Sequence, residues 1–324
     1  MKILVTGGAG YIGSNVTAAL LEAGHEVTVY DSLVKGYRAA VPAGATFVQG
    51  DILDRAALDA VLGGAGFEAV LHFAAFIEAG ESMQDPGKFF HNNVTGSMTL
   101  IEAISAHGVP RFVFSSTAGL YASKDAPLNE ADPIGPANVY GQTKWMMEQV
   151  LDWYSQVKGL HYAALRYFNA AGAMPERGEA HQPESHLIPL VLQVALGQRK
   201  QVAIYGDDYP THDGTCIRDY IHIQDLATAH LLALDGLASR QKMIYNLGNG
   251  AGYSVKEVIE TAREITGHPI PAQVTPRRPG DAAILVADAA RIRAELGWEP
   301  QIPTLRDIVA SAWTWHQAHP RGYA

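Results

Sequence analysis

The sequence predicts a doubly wound α/β fold: a parallel sheet with helices on both faces, followed by a smaller α/β lobe towards the C-terminus. Three observations carry that expectation. Over the first 170 residues, short apolar runs alternate with helical patterns, as parallel strands joined by crossover helices require. A glycine-rich turn joins the first strand to the first helix. The length, 324 residues, exceeds the size at which one hydrophobic core usually stops growing. Two lobes are therefore expected, 1–170 and 171–324, with the chain crossing between them.

Residues 2–6 read as a buried strand, and Gly7-Gly8-Ala9-Gly10-Tyr11-Ile12-Gly13 follows at once. Gly7, Gly10 and Gly13 match G-x-x-G-x-x-G, while Gly8, Gly10 and Gly13 match G-x-G-x-x-G, and spacing alone leaves both open. Such glycines permit a tight turn, close backbone approach to a pyrophosphate, and tight packing of helix on strand. The helical pattern at 11–23 would present unpaired amides to that anion. A second strand, 26–30, ends at Asp31, where a carboxylate can accept a ribose 2′-hydroxyl and would repel a 2′-phosphate. NAD is therefore expected over NADP, on a Rossmann-type sheet.

Further strands are expected at 46–49, 69–73, 111–115 and 162–167, with helices at 54–62, 89–107 and 139–158 between them. Ligands in such sheets lie beyond the carboxyl ends of the strands, where Asp31, Asp51, Phe73-Ala74-Ala75 and Ser115-Ser116-Thr117 fall. A loop-rich stretch at 172–185 opens the second lobe. Its expected helices are 187–196, 226–237, 254–266, 288–296 and 305–316, with weak strand signals at 202–205 and 243–247.

Tyr140 and Lys144 are four apart on the expected helix 139–158, so both side chains face one point. Lowering a phenol by about three pKa units takes roughly 4 kcal/mol. A cation about 4 Å away at an effective dielectric near 20 supplies that order of energy. The pair therefore suits a base that takes a proton from an alcohol.

A net charge of −9 argues against non-specific nucleic-acid binding. One cysteine, Cys216, excludes an intrachain disulfide and suits a cytoplasmic setting. No apolar run approaches the length of about 18 residues that a membrane span needs, and a strand beginning at residue 2 leaves no room for a secretory signal. His181 and His186 are five apart. With one cysteine and no third ligand at close spacing they read as ordinary loop histidines, and no metal is expected.

Nine segments carry a family resemblance: TGGAGYIGS, FAAFIEAGES, NNVTGS, FSSTAGLYA, YGQTK, LRYFNAAGA, YGDDYPTHDGTCIRDYIH, RRPGD and WHQAHPRGY. They span nearly the whole chain, which is similar to the extended short-chain dehydrogenase/reductase family and within it to nucleotide-sugar 4-epimerases. The resemblance implies reversible C4 epimerisation of UDP-galactose and UDP-glucose through a transient 4-keto sugar, on NAD that stays bound. It implies Tyr140 as the base, Lys144 as the residue that holds the ribose and, with the positive nicotinamide ring, lowers the tyrosine pKa, and Thr117 as a hydroxyl partner of the reacting oxygen. It places Gly7, Gly10, Tyr11, Ile12, Gly13, Asp31, Asp51, Ile52, Phe73, Ala74, Asn93 and Tyr167 at the cofactor. Asn169, Leu187, Tyr205, Arg218, Arg278, Asp281 and Leu285 fall to the UDP-sugar, the arginines suiting a diphosphate. A homodimer through helices 89–107 and 139–158 is implied too.

Departures concern substrate range. Ile77 stands where some relatives have a lysine near the cofactor, so that contact is expected to be absent, and His186 stands where others have an asparagine. Leu285 occupies a position linked to acceptance of N-acetylated sugars. Sugar-nucleotide dehydratases typically follow the threonine with an Asp-Glu pair; here Ala118 and Gly119 follow Thr117. A non-catalytic dinucleotide-sensing regulator usually lacks the tyrosine or the lysine, and both are present.

Overall fold

The computed structural model describes residues 1–278 and 281–323; Pro279 and Gly280 of the RRPGD motif, and Ala324, lie outside them. The first half supplies strands β1 (Lys2–Thr6), β2 (Glu26–Asp31), β3 (Thr46–Gln49), β4 (Ala69–His72), β5 (Arg111–Thr117) and β6 (His161–Tyr167). The second supplies β7 (Asn169–Ala171), β8 (Val202–Tyr205), β9 (Ile217–His222), β10 (Lys242–Leu247), β11 (Gly252–Ser254), β12 (Ala272–Thr275) and β13 (Ile284–Leu285). One seven-stranded sheet has the order β10-β6-β5-β4-β1-β2-β3, every pairing parallel. The order reverses between β1 and β4, which opens a crevice at the carboxyl edge there.

Alternation along the strands explains both layers. Ile3, Val5, Val27, Val29 and Leu71 face one side, packed with residues of the helices Tyr11–Glu22 and Ile223–Gly236. Leu4, Val70, Phe112 and Phe114 face the other, packed with the helices Arg55–Leu62, Ser97–Ala106 and Val139–Lys158. Strands buried on both faces read as unbroken apolar runs, which is why β1 stood out. Local signals set the helix starts: Asp54 accepts from the Ala57 amide, Asn138 from that of Gly141, and Ser254 with Glu257 makes a full capping box.

The second lobe has its own core, where the helices Leu187–Ala195, Val255–Thr266 and Leu305–Ala318 bring together Val191, Leu192, Val258, Ile308 and Val309. β9 is flanked by β7, β11 and β13, and β8 pairs with β12.

Two expectations are corrected. The strand signal at 243–247, assigned to the second lobe, belongs to the first sheet: β10 pairs with β6. Met243, Tyr245 and Leu247 join the core beneath the Ile223–Gly236 helix, so burial rather than chain position decides its layer. The helix expected at 89–107 is broken into Pro86–Phe89, a π-helical turn Phe90–Gly96, and Ser97–Ala106. The turn directs Asn93 inward, and Gly96 lies where a Cβ would meet Ile52 at 2.8 Å. Among the described residues, no helix is long and apolar enough to cross a membrane.

Candidate active site

A cavity of about 470 Å³ opens at the carboxyl edge of the sheet beside the switch point. Its walls include Gly7, Gly10, Tyr11, Ile12 and Gly13 from the glycine loop, then Asp31, Asp51, Ile52, Phe73 and Ala74. Thr117, Tyr140, Tyr167 and Asn169 close its other end. The first group arrives on the ends of β1 to β4 and the second from β5, β6, β7 and the Val139–Lys158 helix.

The structure decides between the two glycine spacings. Gly7 has φ +75°, and a Cβ there would lie 2.4 Å from the Ala74 amide nitrogen; one at Gly13 would lie 2.2 Å from the Gly7 carbonyl. A Cβ at Gly10 would meet only the Gly7 carbonyl, at 3.3 Å, while one at Gly8 would press on Val29 at 2.8 Å, and Gly8 does not line the cavity. The wider spacing, Gly7, Gly10 and Gly13, is the one that faces the cavity. Gly10 caps the Tyr11–Glu22 helix without any side-chain hydrogen bond and with no acid in the first turn. That helix end therefore offers free amides to a pyrophosphate. Asp31 completes the cradle. Its carboxylate accepts from the Ala9 and Leu33 amides at 2.9 and 2.8 Å, and burial pushes its pKa up. These residues fit NAD.

At the other end, Tyr140 is half-buried and Lys144 is 3% exposed. The Lys144 ammonium donates to the Ser115 carbonyl at 2.7 Å and lies 6.0 Å from the centre of the Tyr140 ring. Gly141 makes this placement possible: a Cβ there would lie 2.3 Å from the Gly119 carbonyl, so only glycine lets the helix sit against the end of β5. The Thr117 hydroxyl accepts from the Gly119 amide at 3.1 Å and also faces Tyr140.

Within the protein alone, burial dominates both groups. Burial pushes the Tyr140 phenol up to about 12, with Thr117 drawing it back in part and Glu78 adding to the rise. Burial also brings Lys144 down to about 7. Within the chain alone the lysine does not lower the tyrosine; desolvation outweighs a cation 6 Å off the ring.

Beneath the pair runs a buried network that sequence reasoning missed. Glu148, one turn beyond Lys144, accepts from Ser116 at 2.5 Å and from Arg166 through both oxygens, at 3.1 and 2.7 Å. Arg166 also donates to the Tyr121 hydroxyl, which in turn bonds Asn246. The Arg166 and Glu148 side chains are 3% and 1% exposed, so this bidentate pair ties the helix to β5 and β6.

Asn93 does not line the cavity. Its amide donates to the Phe76 carbonyl and accepts from the Phe76 amide, both at 2.9 Å, so it shapes the loop after β4 that forms part of the wall. Ile77 does lack a charge, but Lys35 and Lys88 both enter the cavity wall. Lys35 pairs with Glu78 at 2.6 Å and reaches the Gln182 carbonyl. Thus cations border the cofactor space from positions that no motif had flagged.

Tyr205, Arg218, Arg278, Asp281 and Leu285 gather in a second cluster outside that cavity. Arg218 and Leu285 follow one another into it, since Leu285 on β13 is in register with Arg218 on β9. Arg278 pairs with Asp281 at 3.0 Å and stacks over Tyr205 at 4.4 Å; Arg218 lies 3.8 Å from the same carboxylate. Asn169 links the two groups: it lines the cavity while donating to the Asp219 carbonyl on β9 at 3.0 Å. Leu187 opens its helix next to His186, another cavity residue.

A sequence model described as the NAD dependent epimerase/dehydratase family matches residues 3–248. The chain belongs to this family. It is 52% identical to a UDP-glucose 4-epimerase of Halalkalibacterium halodurans, covering all of this chain and 98% of the relative. A crystal structure of a UDP-glucose 4-epimerase superposes with a TM-score of 0.97 at 48% identity, over 100% of both chains. A UDP-glucose-4-epimerase of Stenotrophomonas maltophila, crystallised with NAD and formylated UDP-arabinopyranose, gives 0.95 at 42% identity over 99% of each. NAD as cofactor, reached above from the glycine loop and Asp31, is the family's cofactor as well.

Proposed function

We propose that the chain interconverts UDP-galactose and UDP-glucose at sugar C4 through a transient 4-keto sugar, retaining NAD throughout. The observation that carries this is the convergence of Tyr140 and Thr117, backed by Lys144, on the cavity that the glycine loop and Asp31 also line. Bound NAD supplies the acceptor and donor of the C4 hydride and, when oxidised, a positive ring charge. Tyr140 takes the proton of the 4-hydroxyl, and Thr117 hydrogen-bonds the same oxygen. Lys144, fixed on the Ser115 carbonyl, holds the cofactor ribose and returns to its charged form as the phenolate develops. The tyrosine must fall from about 12, so its ionisation depends on added positive charge and on Lys144. Tyr140 then reprotonates the oxygen after the keto sugar presents its other face.

Arg218 and Arg278 suit the substrate diphosphate, with Tyr205 and Asp281 orienting them and Leu285 beside the sugar. Asn169 and Leu187 complete the path between the two clusters. No carboxylate follows Thr117, which favours epimerisation over dehydration. Trp153 and Val157, one turn apart on the Val139–Lys158 helix and 65% and 69% exposed, support a homodimer through that helix. The lone thiol, Cys216, suits a cytoplasmic setting.

The test is purified protein with UDP-galactose and no added NAD, assayed for UDP-glucose, with the nucleotide released by denaturation and weighed. Tyr140→Phe should lower turnover at least about a hundredfold, the low end for loss of a general base, with little change in UDP-sugar affinity. Released NADP, or a Tyr140→Phe rate above a tenth of the wild type, would overturn the assignment.

A further inference from the structure

The expectation that His181 and His186 lack further ligands was set by looking for histidine and cysteine. The fold brings two glutamates to them instead. One ligand atom each from Glu179, His181, Glu184 and His186 lies within 4.8 Å of every other. His186 Nδ1 is 2.8 Å from Glu179 Oε1 and 3.0 Å from Glu184 Oε1, and His181 Nδ1 is 3.1 Å from Glu179 Oε1. In a tetrahedral zinc site, bonds of about 2.0–2.2 Å put neighbouring donor atoms about 3.3–3.5 Å apart. To reach that geometry the short edges would open by a few tenths of an ångström and the longer ones, within 4.8 Å, would close.

Charge and burial point the same way. The Glu179 and Glu184 side chains are 6% and 4% exposed, and two carboxylates that dry need a compensating positive charge, which a protonated His186 supplies between them and a divalent ion can supply in its place. A divalent ion with two carboxylates and two neutral imidazoles is electrically neutral. The donors are also held in place beforehand. The Ser185 and His186 amides donate to Glu184 Oε1 at 2.7 and 2.8 Å, and Tyr37 donates to the Ala180 carbonyl at 2.8 Å. The ring of Tyr11, from the cofactor helix, meets His181 edge-on.

We propose that Glu179, His181, Glu184 and His186 bind a zinc-class divalent ion that fastens the 179–186 loop against the cofactor cavity. Two imidazoles with two carboxylates select zinc, cobalt or nickel over magnesium and calcium, which prefer all-oxygen shells. Four protein donors leave no open position, so the ion is structural and takes no part in the epimerisation. Its place is the cavity wall, where His186 leads into the Leu187–Ala195 helix.

The test uses tag-free full-length protein, treated with chelator and then given a small excess of zinc chloride before desalting. Elemental analysis should find about one zinc per chain, and zinc should raise the melting temperature over the chelated form. Cobalt chloride in its place should give the visible absorption of a tetrahedral site. His181→Asn combined with Glu184→Gln should abolish both, while its melting temperature without metal stays near that of chelated wild type. His181→Cys should keep the zinc and add a near-ultraviolet sulfur-to-cobalt band, a gain that a misfolded variant could not produce. Less than about a tenth of a zinc per chain in wild type, or equal zinc in the double variant, would place the ion elsewhere or nowhere and overturn the site.

Discussion

Replacing Glu148 by Gln tests how firmly the catalytic helix is tied to the sheet. The substitution keeps the shape but removes the charge, and its amide would face Arg166, which has donors and no acceptor. Arg166 is 3% exposed and held chiefly by Glu148, through contacts at 3.1 and 2.7 Å. Its burial would then be uncompensated, and breaking one partner of a buried pair costs about 3–5 kcal/mol. At an unfolding entropy of about 2.1 cal/mol/K per residue, the whole chain carries roughly 0.7 kcal/mol/K, so the melting temperature should fall by about 4–7 °C. Circular dichroism melts at matched NAD content would measure this. Replacing both partners, Glu148→Leu with Arg166→Met, leaves no buried charge and should recover more than half of the loss. A single-variant loss below about 1 kcal/mol, or a double variant worse than the single, would refute the account of the pair.

Four further outcomes are expected. Gly13→Ala places a Cβ 2.2 Å from the Gly7 carbonyl, so the purified variant should hold little or no NAD by absorbance of the released nucleotide. Leu285→Ser should raise kcat/KM for UDP-N-acetylgalactosamine about ten- to two-hundredfold with little effect on UDP-galactose, the range for a few methyl-sized groups; equal use of both sugars by wild type would remove Leu285 as the gate. Acid should destabilise the fold: burial holds His72 near about 3 and His230 near about 4, below the ordinary 6.5, so the stability they contribute is present above pH 6.5 and lost as pH falls. By pH 5 the pair would lose roughly 4 kcal/mol, while Asp219, raised to about 6, would return about 1.4, and a urea midpoint that does not drop over that interval would contradict the assignment. Lys144→Met should abolish turnover and yet not lower the melting temperature of cofactor-free protein at pH 6, because the ammonium is buried with a pKa held down to about 7.

The legible parts were those fixed by short-range chemistry. β1, the glycine loop and Asp31 stood out because apolar runs, missing side chains and a terminal carboxylate are each local signals. The Val139–Lys158 helix was read to the residue because Asn138 caps its start and Gly159, at φ 71°, ends it. The second sheet was not legible. β7, β11 and β13 have two or three residues each, too short for any period to show, and they exist only because β9 lies between them. The Glu148 network was hidden for another reason: it joins residues of a helix and two strands whose relation is set by the crossing of elements.

The position of β10 has a consequence for synthesis. A nascent chain that has released only residues up to about 170 has made six strands, yet β6 still presents a bare backbone edge, the kind that recruits foreign strands. The apolar face that will receive Ile223–Gly236 and Tyr245 is equally uncovered at that moment. The cofactor-binding half therefore cannot close on itself while emerging from the ribosome. It waits for 70-odd more residues, through Leu247, whose pairing with Tyr167 seals the edge. The intervening stretch, including β7, β8 and β9, must be accommodated first, so the two lobes mature as one cooperative unit. A split at the lobe boundary should yield an aggregating N-terminal fragment, and overexpression should depend on chaperones that shield that edge until the last strand docks.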